Sequence, residues 1–159
     1  MVILFMQYLI IFLISMVPLI ELRGAIPYAI GFKLPLLPSY IICILGNMLP
    51  VPFIFLFARK ILVWGSDKKY IGGFFNWCLK KGEKGGKKLQ EKAGRGLYVA
   101  LFLFVGIPLP GTGAWTGALI AALLKMNRRD SFLSILLGVT IAGTIITLGT
   151  YGVLGFIFK

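Results

Sequence analysis

Gly106-Ile107-Pro108-Leu109-Pro110-Gly111-Thr112-Gly113 stands in the middle of a run, Leu97–Leu124, that carries no charged residue. Proline offers a helix no N–H and clashes with the turn before it, so two prolines among three glycines stop any helix here. Leu97–Val105, ahead of the break, would rise roughly 15 Å as helix, about half the hydrocarbon core of a bilayer. Beyond the break, Ala114–Leu124 returns to a basic cluster of Lys125, Arg128 and Arg129. The economical reading is a re-entrant hairpin that enters the membrane, turns near mid-depth and leaves on the same side. One kinked span is the alternative. Non-helical backbone at that depth is tolerated only where protein covers it or it lines a water-filled cavity.

Working outward, Met1–Ile20, Leu34–Ala58 and Ser131–Phe158 are uncharged as well, each long enough to meet the ~20 residues a crossing helix needs. The 159 residues are 58% hydrophobic and 14% charged, with a mean hydropathy of +0.93. A soluble domain of this size could bury only part of such a surface, so an all-α integral membrane protein is expected. Met1–Ile20 lacks a basic start and a small-residue cleavage pattern, and reads as a permanent membrane segment rather than a signal peptide.

Seventeen Lys and Arg against five Asp and Glu give a net charge of +12. That charge lies mainly in one loop between apolar runs, not on folded polar surface, so no nucleic-acid partner is expected. With no His and two separated cysteines, Cys43 and Cys78, a metal site, a disulfide framework and a Ser-His-Asp or Cys-His set all lack their groups. No cofactor, no metal and no enzymatic role are expected.

The two halves resemble each other. Tyr8–Leu19 aligns with Tyr98–Leu109 at an offset of 90, with Tyr, Phe, Leu, Pro and Leu identical. Gly24-Ala25 then falls on Gly113-Ala114. Ser39–Leu56 falls on Ser131–Leu148 at an offset of 92, with Ser, Leu, Gly, Ile and Leu identical. Each repeat is a hairpin plus one full span, which crosses the membrane once, so the two repeats must be inverted. Broken helices meeting near the midplane of inverted repeats are a recurring plan among secondary transporters. The expected units are 1–64, a connector 65–96, and 97–159, all parts of one membrane domain. Pro18, Gly24 and Pro27 would break the first hairpin, and Pro108, Pro110, Gly111 and Gly113 the second.

Arg59–Arg95 carries eleven Lys and Arg against three acids, which puts the connector on the cytoplasmic side of a bacterial or archaeal plasma membrane and both termini outside. Ile71, Phe74, Phe75, Cys78 and Leu79 form one apolar stripe at helical spacing, flanked by Lys68, Lys69, Lys80 and Lys81. This is either a helix lying in the interface with its lysines on anionic head groups, or a solvated loop.

Glu21 is the only carboxylate inside a hydrophobic stretch, Pro18-Leu-Ile-Glu-Leu-Arg-Gly-Ala-Ile-Pro27. Burying a charge at a helix centre costs about 2.5–3.5 kcal/mol on insertion scales, so such a group neutralises, pairs or lines a cavity. Glu21 is therefore a candidate proton carrier, with Arg23 attracting an anionic head group; an ion pair in an interfacial loop is the bland alternative. Asn47, near the centre of the first full span, is a candidate for a cavity or interhelical contact, and Trp115 could gate the site or simply pack. Thr140, Thr144, Thr147 and Tyr151 share one side of the last span, where threonines commonly bond their own i−4 carbonyls. Ser134, Gly138, Ala142, Gly149 and Gly152 form a small-residue stripe suited to close packing.

Pro18–Pro27 and Gly106-Ile-Pro-Leu-Pro-Gly-Thr-Gly-Ala-Trp-Thr-Gly117 resemble the two signatures of the small multi-drug export protein family, and the resemblance covers nearly the whole chain. That family is similar in turn to the DedA superfamily, whose members have two facing re-entrant hairpins and are linked to proton-dependent transport and lipid movement, polyprenyl-phosphate carriers included. The resemblance implies that Glu21 takes the place of an acidic residue of the first hairpin. The second hairpin has no arginine between Gly106 and Leu124, leaving Arg23 as the candidate for phosphate.

The function expected is a small secondary transporter, coupled to protons, that moves a lipid-linked or amphiphilic substrate, its partners being anionic membrane lipids. Proton-driven efflux of lipophilic cations is one alternative, and a non-transporting scaffold or accessory subunit is another. At 17.5 kDa one copy offers few walls, so a homodimer is expected.

Overall fold

The computed structural model describes residues 2–18, 20–70, 72–77, 79–80, 91, 94–109 and 111–157. Among these there is no strand. The helices are α1 (Val2–Met16), α2 (Glu21–Gly31), α3 (Leu36–Met48), α4 (Pro50–Ser66), α5 (Gly96–Gly106), α6 (Ala114–Leu123) and α7 (Arg128–Ile157). Residues 72–77 are helical as well.

Among the described residues, two stretches are long and apolar enough to cross a membrane. The first is the 31-residue rod Leu36–Ser66 and the second is the 26 residues Arg128–Val153 of α7. The rod is α3 and α4 in series, interrupted only at Leu49, where the next residue is Pro50 and has no N–H for the ladder. The other four helices run 15, 11, 11 and 10 residues, short of the ~20 that a span requires. They form two broken pairs: α1 stops at Met16 before Pro18, and α5 stops at Gly106 before Pro108. Gly24 and Pro27, expected at the first break, lie instead inside the continuous helix α2. The proline forgoes one ladder bond, a loss that neighbouring helices make tolerable in a packed apolar bundle.

The core is built by crossing the pairs over the long helices. α1 packs on α2 and α3, α5 packs on α7, α2 reaches across to α7, and α6 reaches across to α4. Gly46 of α3 sits on the backbone of α1: a Cβ there would lie 2.6 Å from the carbonyl oxygen of Phe12. Gly138 of α7 sits the same way on α5, where a Cβ would lie 2.9 Å from the carbonyl oxygen of Phe102 and 2.8 Å from Cβ of Val105. The glycines and the carbonyls are both pairs that the sequence alignment matches.

Helices α2 and α6 also end alike. Lys33 and Lys125 take the left-handed conformation, with φ of 56° and 53°. After α2, the N–H of Leu34 donates to Ala29 (3.0 Å) and that of Lys33 to Ile30 (2.9 Å); after α6, Met126 donates to Ala121 (3.0 Å) and Lys125 to Ala122 (3.3 Å). Both are Schellman caps, with the following residue, Leu34 or Met126, buried. Every matched pair here stands 92 residues apart, and at that spacing Leu22, not Ala25, falls on Ala114 at the start of α6. The Gly24–Gly113 match in the sequence alignment is therefore out of step with the helices.

The outside is apolar. Leu133, Leu137, Ile141, Ile145 and Leu148 form an exposed stripe along α7, a surface suited to lipid and not to water. On the inner side of α7 only Ser134, Gly138 and Ala142 of the small-residue stripe are buried, while Gly149 and Gly152 are exposed. Thr140, Thr144 and Thr147 donate to Leu136, Thr140 and Gly143, each four residues back, at 2.8, 2.9 and 2.7 Å. Tyr40 of α3 ties the halves together by donating to the Thr140 carbonyl at 2.6 Å.

Near the connector, Phe75 lies over Gly65 at the end of α4, and Asn76 donates to the Ser66 carbonyl at 3.2 Å. Phe74 and Trp77 stack on each other and are exposed. Lys68, Lys69 and Lys80 are exposed. Ile71, Cys78 and Lys81 of the expected interface helix lie outside the described residues.

Candidate functional site

The two helix breaks meet, and Glu21 is at the junction. Its residue is 4% exposed, and its backbone has a φ of 52°, in the left-handed region that side-chain-bearing residues rarely adopt. This turns the chain sharply into α2 and aims the side chain at the start of α6. There the N–H of Trp115 points at Oε1 at 3.4 Å. The first N–H groups of a helix have no carbonyl behind them and carry the positive end of the helix dipole, so a carboxylate fits at that end.

Gly113 makes the approach possible. A Cβ on it would run into both carboxylate oxygens of Glu21, so only a residue without a side chain lets the acid reach the helix end. Gly113 is extended, with φ of −140°, so here the glycine serves space and not backbone freedom. Gly111, two residues earlier, is the one that needs that freedom, with φ of 86°.

Two further donors cross the junction, one from each half. Arg23 of α2 donates to the carbonyl of Thr112 and, at 3.2 Å, to its hydroxyl. Trp115 of α6 donates its indole N–H to the carbonyl of Met16 at 3.0 Å. Arg23 and Trp115 are themselves 92 residues apart, as are Glu21 and Gly113. Each broken pair thus closes on the frayed end of the other. Thr112 shapes the second break from within: its hydroxyl lies 2.8 Å from the carbonyls of both Ile107 and Leu109 and accepts from the Leu109 N–H at 3.2 Å.

Asn47 completes the group. It is wholly buried with its side chain against the Glu21 carboxyl, at longer than ordinary hydrogen-bond reach. A buried amide with both ends unmatched is costly, on the order of 1–3 kcal/mol for each group left unsatisfied. A neutral amide holds no titratable proton of its own, and what Asn47 offers at this place is a donor for the carboxyl of Glu21.

Glu21, Arg23, Asn47 and Trp115, drawn from three separate stretches of the sequence, are therefore gathered at one place, with Gly113 as the floor. Pro18, Pro108 and Gly111 lie in the two breaks; Pro110 lies outside the described residues. Lys68, Lys69 and Lys80 are not part of this group, standing beyond the far end of α4. Among the described residues no cluster of His, Cys, Asp or Glu could hold a metal ion.

Sequence reasoning missed Thr112 as a partner and Gly113 as more than a break. The signal that could have found the register is the Lys33–Lys125 match, at the same offset as Ser39–Ser131.

No curated protein and no solved structure matches the chain. The family model described as "Putative small multi-drug export protein" matches residues 21–145, from Glu21 itself to the middle of α7. With its two membrane-length helices and its apolar outer face, the chain is a membrane protein of transport or export type, and it belongs to that family.

Proposed function

We propose that the protein is a proton-coupled secondary transporter in which Glu21 is the coupling group and the joined helix breaks are the moving part. The single observation that carries this reading is the seat of the Glu21 carboxylate on the N-terminus of α6, in space that Gly113 leaves open. Ionised, Glu21 holds the helix end electrostatically. Protonated, it loses the charge that the helix dipole attracts, and the clasp between the halves is left to Arg23–Thr112 and Trp115–Met16. A substrate that favours one protonation state of Glu21 shifts the equilibrium between the clasped and the loosened arrangement.

In this reading α1–α2 and α5–α6 are re-entrant hairpins that enter from opposite sides, the two halves being inverted repeats. The matched glycine seats of Gly46 and Gly138 and the matched caps at Lys33 and Lys125 support it. The basic connector is cytoplasmic in the plasma membrane, the termini are outside, and two copies associate to wall the path. The DedA relationship belongs to the same reading and rests on the sequence motifs. The substrate is amphiphilic: a lipid phosphate that meets Arg23, or a lipophilic cation that competes with the proton for Glu21.

Reconstitution into proteoliposomes tests the proposal. After a pH jump, charge movement is recorded with a lipid phosphate in the bilayer or with a lipophilic phosphonium cation outside. Wild type responds to one of the two, and Glu21→Gln, folded and retaining Arg23, does not. An unchanged response in Glu21→Gln removes the coupling role. A scaffold, the competing reading, tolerates that substitution in every assay.

A further inference from the structure

A second site, away from Glu21, opens between α4, α6 and the start of α7. It is a groove of about 650 Å³ that has Arg59, Lys60, Lys125 and Arg128 around it and Phe55, Leu56, Val63 and Trp64 along its wall. It shares Phe55, Leu56 and Arg128 with a neighbouring pocket of about 490 Å³, which adds Arg129, Phe132 and Leu133. Along α4, Phe55 and Leu56 lie on the membrane side of Arg59 and Lys60, and Val63 and Trp64 on the connector side. Asp130, the acid nearest in sequence, is exposed and lines neither part.

Its position follows from the helices. Arg59 and Lys60 stand where the uncharged run Leu34–Ala58 ends, and Arg128 and Arg129 where the run Ser131–Phe158 is about to begin. The basic end therefore sits at the membrane surface, where two membrane-length apolar segments give way to charge. Ala122, which lines the groove, is eight steps along α6 from Ala114 beside Glu21, about 12 Å at 1.5 Å per residue.

The chemistry that fits is an anion on a long apolar stem. A free phosphate would satisfy the basic end and leave the apolar wall bare, including Leu56 and Leu133, which are 48% and 56% exposed. A zwitterionic lipid would fill the wall but bring its own cation to a basic mouth. We propose that this groove binds one anionic phospholipid, its phosphate among Lys60, Arg128 and Arg129 and one acyl chain along Phe55, Leu56, Phe132 and Leu133. The lipid is held between α4 and α7, the two membrane-length stretches, and is not the transported species; the site is distinct from the Glu21 junction.

The full-length protein, purified in detergent and titrated with phosphatidylglycerol or phosphatidylcholine under native mass spectrometry, tests this. Each exposed basic residue near a headgroup strengthens anionic binding appreciably, so one phosphatidylglycerol is expected to bind at least about tenfold tighter than phosphatidylcholine. Lys60→Gln with Arg129→Gln brings the two lipids level, while Lys33→Gln, before the opposite end of the Leu36–Ser66 stretch, leaves the preference intact. Glu21→Gln also leaves it intact, which separates this site from the coupling site. Equal binding of the two lipids by wild type overturns the proposal, a result that needs no variant to fold. So does an equal loss in Lys33→Gln, or displacement of the lipid by glycerol phosphate at comparable concentration, which would mark a site for a soluble anion.

Discussion

Glu21 and Gly113 divide one small space between them. At the matched position of the two halves, one half has the only carboxylate of its apolar stretch and the other has no side chain at all. The pairing predicts an asymmetric tolerance. Gly113→Ala puts a methyl group onto the carboxylate and displaces it from α6, and transport should fall by about tenfold or more, the effect of misplacing a positioned group by about an ångström. Expression and helix content, read by circular dichroism, should stay near wild type. Gly113→Ala combined with Glu21→Ala removes the collision, so the double variant should regain the thermal stability of wild type while staying inactive. A double variant less stable than Gly113→Ala alone would mean that the collision is not what the methyl group does. Only one of the two residues was legible beforehand. Glu21 stood out because a carboxylate in an apolar run is costly, whereas the work of Gly113 is to leave space for a residue 92 positions away, and local sequence carries no trace of that.

Helix ends and helix crossings were legible to different degrees. Pro18 and Pro108 marked the breaks because loss of an N–H is a local property of the residue. Pro27 carried the same signal and misled, since packing against α3 and α7 holds α2 together through it. The glycine seats at Gly46 and Gly138 lead to a sharp contrast along one helix. Gly138→Ala must push Val105 or the Phe102 carbonyl aside, and should cost about 1–3 kcal/mol. Gly149→Ala meets nothing within 4 Å, and should be neutral or stabilising by up to about 1 kcal/mol, the propensity difference between the two residues. Thermal unfolding in detergent reads both, and equal effects would contradict the packing described. At the caps, Lys33→Gly takes a left-handed position from a residue with a Cβ and gives it to one without, so it should stabilise by up to about 1–2 kcal/mol.

On the proposed reading the whole molecule is two copies of one plan, clasped at the breaks and joined by a basic connector. The likeness of the halves rests on matched residues that recur at a fixed spacing, and the sequence alignment slips by three residues through α2, where apolar positions substitute freely. The basic residues were legible only as a count that sets topology; their arrangement into a groove depends on how α4, α6 and α7 converge. If the halves are inverted, Lys33 and Lys125 end their helices on opposite faces of the membrane. In a variant with Cys43 and Cys78 replaced, Lys33→Cys should react with an impermeant maleimide from outside the cell and Lys125→Cys only after the membrane is opened. Labelling of both from one side would contradict inversion. The central claim is that Glu21 gains and loses a proton as substrate binds. Infrared difference spectroscopy of the reconstituted protein measures this most directly, comparing wild type with Glu21→Gln as a lipid phosphate or a lipophilic phosphonium is added at constant pH. A protonated-carboxyl band that changes with substrate in wild type and is missing from Glu21→Gln is the predicted result. A band that ignores both substrates, or that persists in Glu21→Gln, would contradict the account.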